Sequence, residues 1–114
     1  MKLKQLVDAL ELEVKAGAKA LDASVEGGYI SDLLSDVIAN SRKGDLWITL
    51  QVHQNIIAVA TLKELAGIVI IGGKKPAEDT VSKAEEEKIP VMTSPLPAFE
   101  FGGRLYEMGV RGTR

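Results

Sequence analysis

The sequence contains no cysteine and a single histidine, so it has few of the side chains on which metal binding and covalent catalysis depend. Without cysteine the chain cannot form a disulfide, a thiolate zinc site, a cysteine-held iron–sulfur cluster or a cysteine nucleophile. One histidine is too few for a zinc motif of the HExxH type. We therefore expect no metal and no cofactor, and the conventional equipment for catalysis is scarce.

Charge of one sign and long apolar runs are also missing. The 114 residues include 14 basic and 16 acidic side chains, a net charge of −2, whereas a nucleic-acid-binding domain normally carries a basic surface. No apolar run approaches the roughly 18 residues of a transmembrane helix. The start, Met1-Lys2-Leu3-Lys4, lacks the apolar segment of a signal peptide. We expect no nucleic-acid partner, no membrane partner and a cytoplasmic location.

Short apolar runs and amphipathic segments alternate from residue 45 to residue 109. Strands are predicted over 45–50, 68–71 and 90–93, and helices over 53–65, 77–88 and 94–109. The run at 68–71 is wholly β-branched without alternation, which is typical of a strand buried on both faces of a parallel sheet. This order predicts an α/β fold: a single three-layer domain with a mainly parallel sheet flanked by helices.

The first 44 residues are less regular. Helices are predicted over 2–10 and 31–41, and strands over 12–14, 19–24 and 29–30. The turn predicted at 26–28 has two interpretations: a tight hairpin, or a glycine pair that lets a ligand or partner approach the backbone beside Tyr29. At the other end of the chain, residues 110–114 are predicted to be a frayed tail of a single domain that spans 1–114.

Polar residues follow three of the predicted strands, at the sheet end where open parallel sheets bind their ligands. The segment 51–55 is unusually polar, 72–76 combines two glycines with two lysines, and 93–95 adds hydroxyl groups. With the helix N-termini, these loops would offer amides, hydroxyls, an imidazole and ammonium groups to a phosphate or carboxylate. The predicted ligand-binding residues are Thr49, Gln51, His53, Gln54, Asn55, Gly72, Gly73, Lys74, Thr93 and Ser94.

Each part of this predicted site also has a purely structural interpretation. Residues 51–55 can cap the following helix, and a single histidine at a helix start is more often structural than catalytic. Lys74 and Lys75 can form a solvated turn, and the pair Gly72-Gly73 is ordinary where a strand turns into a helix. The anion site is therefore a hypothesis that rests on three polar loops at one sheet end.

The sequence resembles a known family over residues 3–110. The stretches that carry the resemblance are GGYISDLLSDVIAN (27–40), KGDLWIT (43–49), HQNIIAVA (53–60) and IPVMT (89–93). They resemble the small stand-alone DRTGG-domain proteins of anaerobic bacteria, which are similar in fold to the N-terminal domain of HPr kinase/phosphorylase. The resemblance implies a regulatory or ligand-sensing module that contacts a second subunit. For stand-alone members it also implies an association with hydrogenase or signalling proteins.

Two departures from the family limit what the resemblance implies. The string DRTGG itself is absent, so any ligand residues that it marks cannot be transferred. The P-loop of the HPr kinase catalytic domain is absent too: within 67–75 an apolar strand replaces the loop, the lysine comes one place late and no hydroxyl residue follows it. A serine-kinase function is therefore not supported.

Three functional hypotheses remain. The first is a non-catalytic module that senses a nucleotide or other small anion and acts as a homodimer, with Tyr29, Trp47 and region 99–101 as candidate interface residues. The second is a protein-interaction subunit without a ligand, in a hydrogenase or signalling complex. The third is an enzyme with His53 as its acid–base residue and Lys74 holding an anion. We favour the first.

Overall fold

The computed structural model describes residues 1–112, which form five α-helices, five strands and a short 3-10 helix. The α-helices are α1 (Leu3–Ala9), α2 (Leu34–Asn40), α3 (Asn55–Lys63), α4 (Glu78–Glu87) and α5 (Ala98–Glu107). The strands are β1 (Glu13–Ala16), β2 (Gly27–Ile30), β3 (Asp45–Thr49), β4 (Gly67–Ile70) and β5 (Val91–Thr93). The 3-10 helix spans Ala18–Ala20.

The five strands form one sheet in the order β1-β5-β4-β3-β2. Strands β2 to β5 are parallel, and β1 pairs with β5 in the antiparallel direction at one edge. Every residue of β3 and β4 is buried, as expected for central strands of a sheet that is covered on both faces. The predicted α/β fold with a mainly parallel sheet is confirmed.

Helices cover both faces of the sheet and create two hydrophobic cores. Along β3, Leu46 and Ile48 belong to the core shared with α1 and α5, whereas Trp47 belongs to the core shared with α2, α3 and α4. This is the period-two alternation of a strand, with apolar residues required on both sides. It explains why the run at 68–71 shows no polar alternation, and it produces the predicted three layers.

The prediction of a strand over 19–24 is wrong, because the chain leaves the sheet at Gly17. This glycine has a left-handed φ of +71°, and a Cβ on it would lie 2.5 Å from the carbonyl oxygen of Ile89. The segment that follows returns to the N-terminus, where the Leu3 amide donates a hydrogen bond to the carbonyl of Ala23 (2.8 Å). Residues 19–24 therefore bond to the start of α1, a contact that local periodicity does not reveal.

The glycine pair Gly27-Gly28 lies inside β2, so the hairpin interpretation of residues 26–28 is wrong. The close approach that Gly28 permits is made by the chain's own C-terminal segment. The Gly28 amide donates a hydrogen bond to the carbonyl of Arg111 (2.9 Å), and a Cβ at Gly28 would lie 3.5 Å from Val110 Cγ1. Residues 110–112 thus pack against β2 instead of fraying, whereas residues 113 and 114 of the predicted tail lie outside the described residues.

The predicted start of the last helix is also too early. Proline disfavours a helical conformation in the residue that precedes it, so Pro95 and Pro97 keep residues 94 and 96 out of the helix. Pro97 is the N-cap, and α5 begins at Ala98.

The aromatic residues proposed for an interface have different environments. Trp47 is fully buried, and its Nε1 donates to the carbonyl of Ser31 (2.8 Å). Phe101 is also fully buried, Tyr29 is half-buried, and Phe99 is 87% exposed. Of the two places expected for Trp47, core or interface, the structure confirms the core, whereas Phe99 projects into solvent.

Candidate functional site

The carboxyl ends of the four parallel strands lie at one end of the sheet, perpendicular to its edge strands. We call the loops at this end the carboxyl edge. It consists of residues 31–33, 50–54, 71–76 and 94–97, which follow β2, β3, β4 and β5 in turn. The last three segments correspond to the loops predicted from the sequence. The segment after β2 was not part of that prediction.

Asp32, in the segment after β2, fixes the loop after β3. Its Oδ1 accepts hydrogen bonds from the Thr49 hydroxyl (2.9 Å) and from the Leu50 amide (2.7 Å). The side-chain amide of Gln51 donates to the Asp32 carbonyl (2.8 Å). Thr49 is fully buried and Gln51 is half-buried, so these two predicted site residues belong to the frame of the edge.

Sequence reasoning missed Asp32, although a signal for it exists. Residues 31–32 follow the predicted strand at Tyr29 in the same way that Gln51 follows the next strand. Parallel strands bring such positions to one edge. The Asp32 carboxylate also opposes an anion on this side of the carboxyl edge, because like charges repel.

The glycine loop after β4 has its amides occupied by the protein itself. The Gly72 amide donates to the carbonyl of Leu96 (2.8 Å), and the Gly73 amide donates to that of Ser94 (3.1 Å). Their φ angles of +67° and +74° turn the loop toward this segment. The buried Ser94 hydroxyl accepts a bond from the Leu96 amide (3.2 Å), and Thr93 is half-buried at the end of β5. These groups hold the edge together.

The remaining predicted site residues expose their side chains, and they are His53, Gln54, Asn55 and Lys74. The first three lie at the start of α3, and the lysine lies in the loop before α4. The loop after β3 is bonded to the start of α4 at the carbonyl of Val52, which accepts hydrogen bonds from the Ala77 amide (3.2 Å) and the Thr80 hydroxyl (2.7 Å). Lys74 lies in the loop that leads into this helix start.

Charge is distributed unevenly along the carboxyl edge. The first turn of α4 contains Glu78 and Asp79, which oppose an anion at that helix start. The first turn of α3 has no acidic residue, and Lys74 and Lys75 are exposed. The part of the edge that best suits an anion is thus formed by residues 53–55 together with Lys74. We call it the His53–Lys74 surface.

A polar cluster joins α2 to β2 near the carboxyl edge. The Tyr29 hydroxyl donates to Asp36 Oδ2, and Asn40 Nδ2 donates to Asp36 Oδ1, both at 2.8 Å. The bond from Tyr29 holds the pKa of Asp36 below its ordinary value, because it stabilises the carboxylate. The same bond raises the pKa of Tyr29. This cluster fastens the helix to the edge strand.

A cavity of about 510 Å³ lies at the opposite, amino edge of the sheet. It is lined by the 3-10 helix and by Glu85 and Lys88, and the Glu85 carboxylate accepts a hydrogen bond from the Gly17 amide. None of the ten predicted site residues lines it. The carboxyl edge is the candidate ligand site, because ligands of open parallel sheets bind outside the carboxyl ends of the strands.

Two further kinds of feature are missing from the described part of the chain. Within residues 1–112, no group of three or more histidine, aspartate and glutamate side chains is placed to hold a metal ion. Among the helices of that same range, none combines the length and the apolar character needed to cross a membrane.

Comparison with known proteins identifies the fold. No family model and no curated protein matches the chain. The chain is similar to a crystal structure of the CBS and DRTGG domains of the regulatory region of Clostridium perfringens pyrophosphatase, complexed with the activator diadenosine tetraphosphate. The TM-score is 0.68 at 16% identity, over 90% of this chain and 44% of the other, so this chain spans less than half of that structure. The chain has the fold of the part of that regulatory region that it matches, which confirms the α/β fold expected from its resemblance to DRTGG-domain proteins.

Proposed function

We propose that this protein is a non-catalytic regulatory module that senses a nucleotide or a related polyphosphate and acts together with a second copy of itself. The observation that carries this proposal is the shared fold with a regulatory region whose crystal structure contains a nucleotide activator. The small size of the chain supports the need for a partner, because a single small module transmits a binding event only by contacting another molecule. A hydrogenase or signalling partner and a cytoplasmic location stay predictions from the sequence.

The proposed ligand site is the His53–Lys74 surface. Its support is the combination of an exposed imidazole, an exposed ammonium group and an α3 start without acidic residues. The imidazole lies on the loop after β3, and the ammonium group lies on the loop that leads to Ala77, whose amide bonds to Val52. The ten residues predicted from the sequence divide accordingly. Thr49, Gln51, Gly72, Gly73, Thr93 and Ser94 form the frame, and the four exposed side chains face the ligand.

His53 is a candidate for direct contact with the ligand. No side chain within residues 1–112 makes a hydrogen bond to the His53 ring, which is exposed. An exposed imidazole can donate a hydrogen bond to a bound phosphate.

Isothermal titration calorimetry with diadenosine tetraphosphate, ATP and AMP tests the proposal. We expect at least one polyphosphate to bind, and the double substitution His53→Ala with Lys74→Ala to weaken binding roughly tenfold or more, because charge-assisted contacts are lost. The matched control is Lys88→Ala, which removes an exposed lysine from the cavity at the amino edge.

Each contrary result has a separate meaning. If only the Lys88→Ala variant lost binding, the ligand site would be the cavity at the amino edge instead of the His53–Lys74 surface. Absence of heat with all three nucleotides would refute the ligand-sensing part and favour the interaction subunit without a ligand.

A further inference from the structure

The outer face of α5 exposes two large aromatic side chains, Phe99 and Tyr106, and the guanidinium of Arg111 lies 4.0 Å from the centre of the Tyr106 ring. Phe99 is 87% exposed and Tyr106 is 60% exposed, whereas Phe101 and Leu105 on the inner face are buried in the core. Phe99, Gly103 and Tyr106 are spaced by four and three residues, so they share one face of the helix. A Cβ at Gly103 would meet nothing within 4 Å. The face is thus apolar at both ends and open to close approach in the middle.

A groove of about 160 Å³ runs between this helix and β2. Its lining includes Gly28, Ile30, Gly102, Tyr106 and Arg111. An apolar cavity of roughly 150 Å³ can hold a benzene molecule, so the groove has the capacity for a phenyl ring. Within one molecule Phe99 does not line this groove; it lines a second groove, together with Glu100 and Arg104.

The charges beside this face are self-complementary. Glu100, Arg104 and Glu107 line the groove that contains Phe99. Their spacing would permit ion pairs within the helix, yet within residues 1–112 none of the three has a salt-bridge partner inside 4 Å. This surface carries acidic and basic side chains that form no salt bridge within residues 1–112. In an inverted second copy, the basic side chain can therefore pair with an acidic one across the two molecules.

We propose that a second copy of the chain docks on this face, with the two α5 helices antiparallel and crossing at Gly102-Gly103. A two-fold pair centred there places Phe99 of each copy opposite Tyr106 of the other, at the mouth of the 160 Å³ groove. It also places Arg104 of each copy opposite Glu100 of the other. Gly103, which is open to solvent at the crossing, lets the two backbones approach closely, as small residues do in packed helix pairs.

This inference specifies the second copy of the proposed function but does not depend on the ligand. Sedimentation velocity over a range of protein concentrations tests it. We expect the unmodified protein to dimerise and Phe99→Glu to raise the dissociation constant about 30-fold or more, because it removes a buried aromatic anchor. The matched control is Leu62→Glu on α3, which also replaces an exposed apolar side chain but lies on the other side of the sheet and should leave the dimer intact.

Two further variants test the arrangement itself. Gly103→Ala should leave the monomer at least as stable, since alanine favours helix and meets no neighbour, while it weakens association. Arg104→Glu should weaken the dimer, and adding Glu100→Arg to it should restore association, because the charges then match again across the pair.

The outcomes that contradict the inference are distinct. A monomer at every concentration would refute the second copy while leaving ligand binding untouched. A dimer that survives Phe99→Glu would refute this surface alone, and failure of the charge exchange to restore association would refute the antiparallel register. Ligand titration of the monomeric variants separates these results from those of the ligand site.

Discussion

Replacing Asp32 by alanine should destabilise the protein by about 2 kcal/mol, although the aspartate side chain is exposed. The reason lies in its partner. Thr49 is fully buried, and its hydroxyl donates to Asp32 Oδ1 at 2.9 Å. Removing the acceptor leaves a buried donor unsatisfied, which costs about 1–3 kcal/mol. The Leu50 amide loses its bond as well, but Leu50 is exposed and water replaces the acceptor at little cost.

The substitution Thr49→Val is the matched comparison, because it removes the same hydrogen bond from the other side. In this variant water can replace the Thr49 hydroxyl at the Asp32 carboxylate, and the bond from the Leu50 amide remains. We therefore expect the free energy of unfolding to fall by only about 0.5–1 kcal/mol. The Gln51 amide also loses the Thr49 hydroxyl as acceptor (3.1 Å), but Gln51 is half-buried and water reaches it.

Urea unfolding followed by linear extrapolation measures both effects. The double variant should cost little more than Asp32→Ala alone, since the two changes remove one interaction. The reasoning would be refuted if Asp32→Ala stayed within about 0.5 kcal/mol of the unmodified protein, the range of ordinary surface substitutions. It would also be refuted if Thr49→Val were the more damaging change.

Three further predictions concern other parts of the fold. Gly17→Ala should lower the free energy of unfolding in urea by roughly 2–4 kcal/mol, because it adds a clash with the backbone at Ile89 to the strain of a left-handed φ. Gly73→Ala should lower it by only about 1–2 kcal/mol, because that residue has a φ of +74° but free space around a Cβ. Equal losses would contradict this. Trp47 fluorescence should resist acrylamide quenching in the folded state and shift to longer wavelength on unfolding, and quenching as efficient as in urea would exclude the buried site. Tyr29→Phe should lower stability at neutral pH, and the difference should shrink as the pH falls through the lowered pKa of Asp36, because a carboxyl with a depressed pKa stabilises only while ionised. A difference that stays constant in acid would contradict it.

The sheet could be predicted from the sequence where each strand carries its own signal. The run at 68–71 is apolar on both faces because both faces are covered, and that pattern is local to the strand. The segment 19–24 also contains apolar residues, but its partner is the N-terminus, where Leu3 bonds to Ala23. Contacts between segments that are distant in sequence, such as the approach of Ile89 to Gly17, leave no periodic trace.

The position of the candidate site could be predicted from the sequence. Which of its polar groups already make hydrogen bonds within the protein could not be predicted. Parallel topology alone brings the loops after the strands to one edge. Which groups are already bonded depends on partners from other segments: Asp32 binds Thr49 across 17 residues, and Leu96 binds the Gly72 amide. The pair Gly72-Gly73 therefore resembles a phosphate loop in composition while its amides serve the fold.

The hydrogen bonds from the glycine loop to residues 94–96 connect the two proposed surfaces. Lys74 follows Gly73 directly, and the segment that accepts the two amide bonds leads into α5 at Ala98. A ligand at Lys74 that drew either amide away would shift the start of the helix on which the second copy docks. Binding free energies are reciprocal, so the factor by which ligand changes self-association equals the factor by which self-association changes ligand affinity. The apparent affinity for ligand would then vary with protein concentration, and two main-chain bonds would set the size of that dependence.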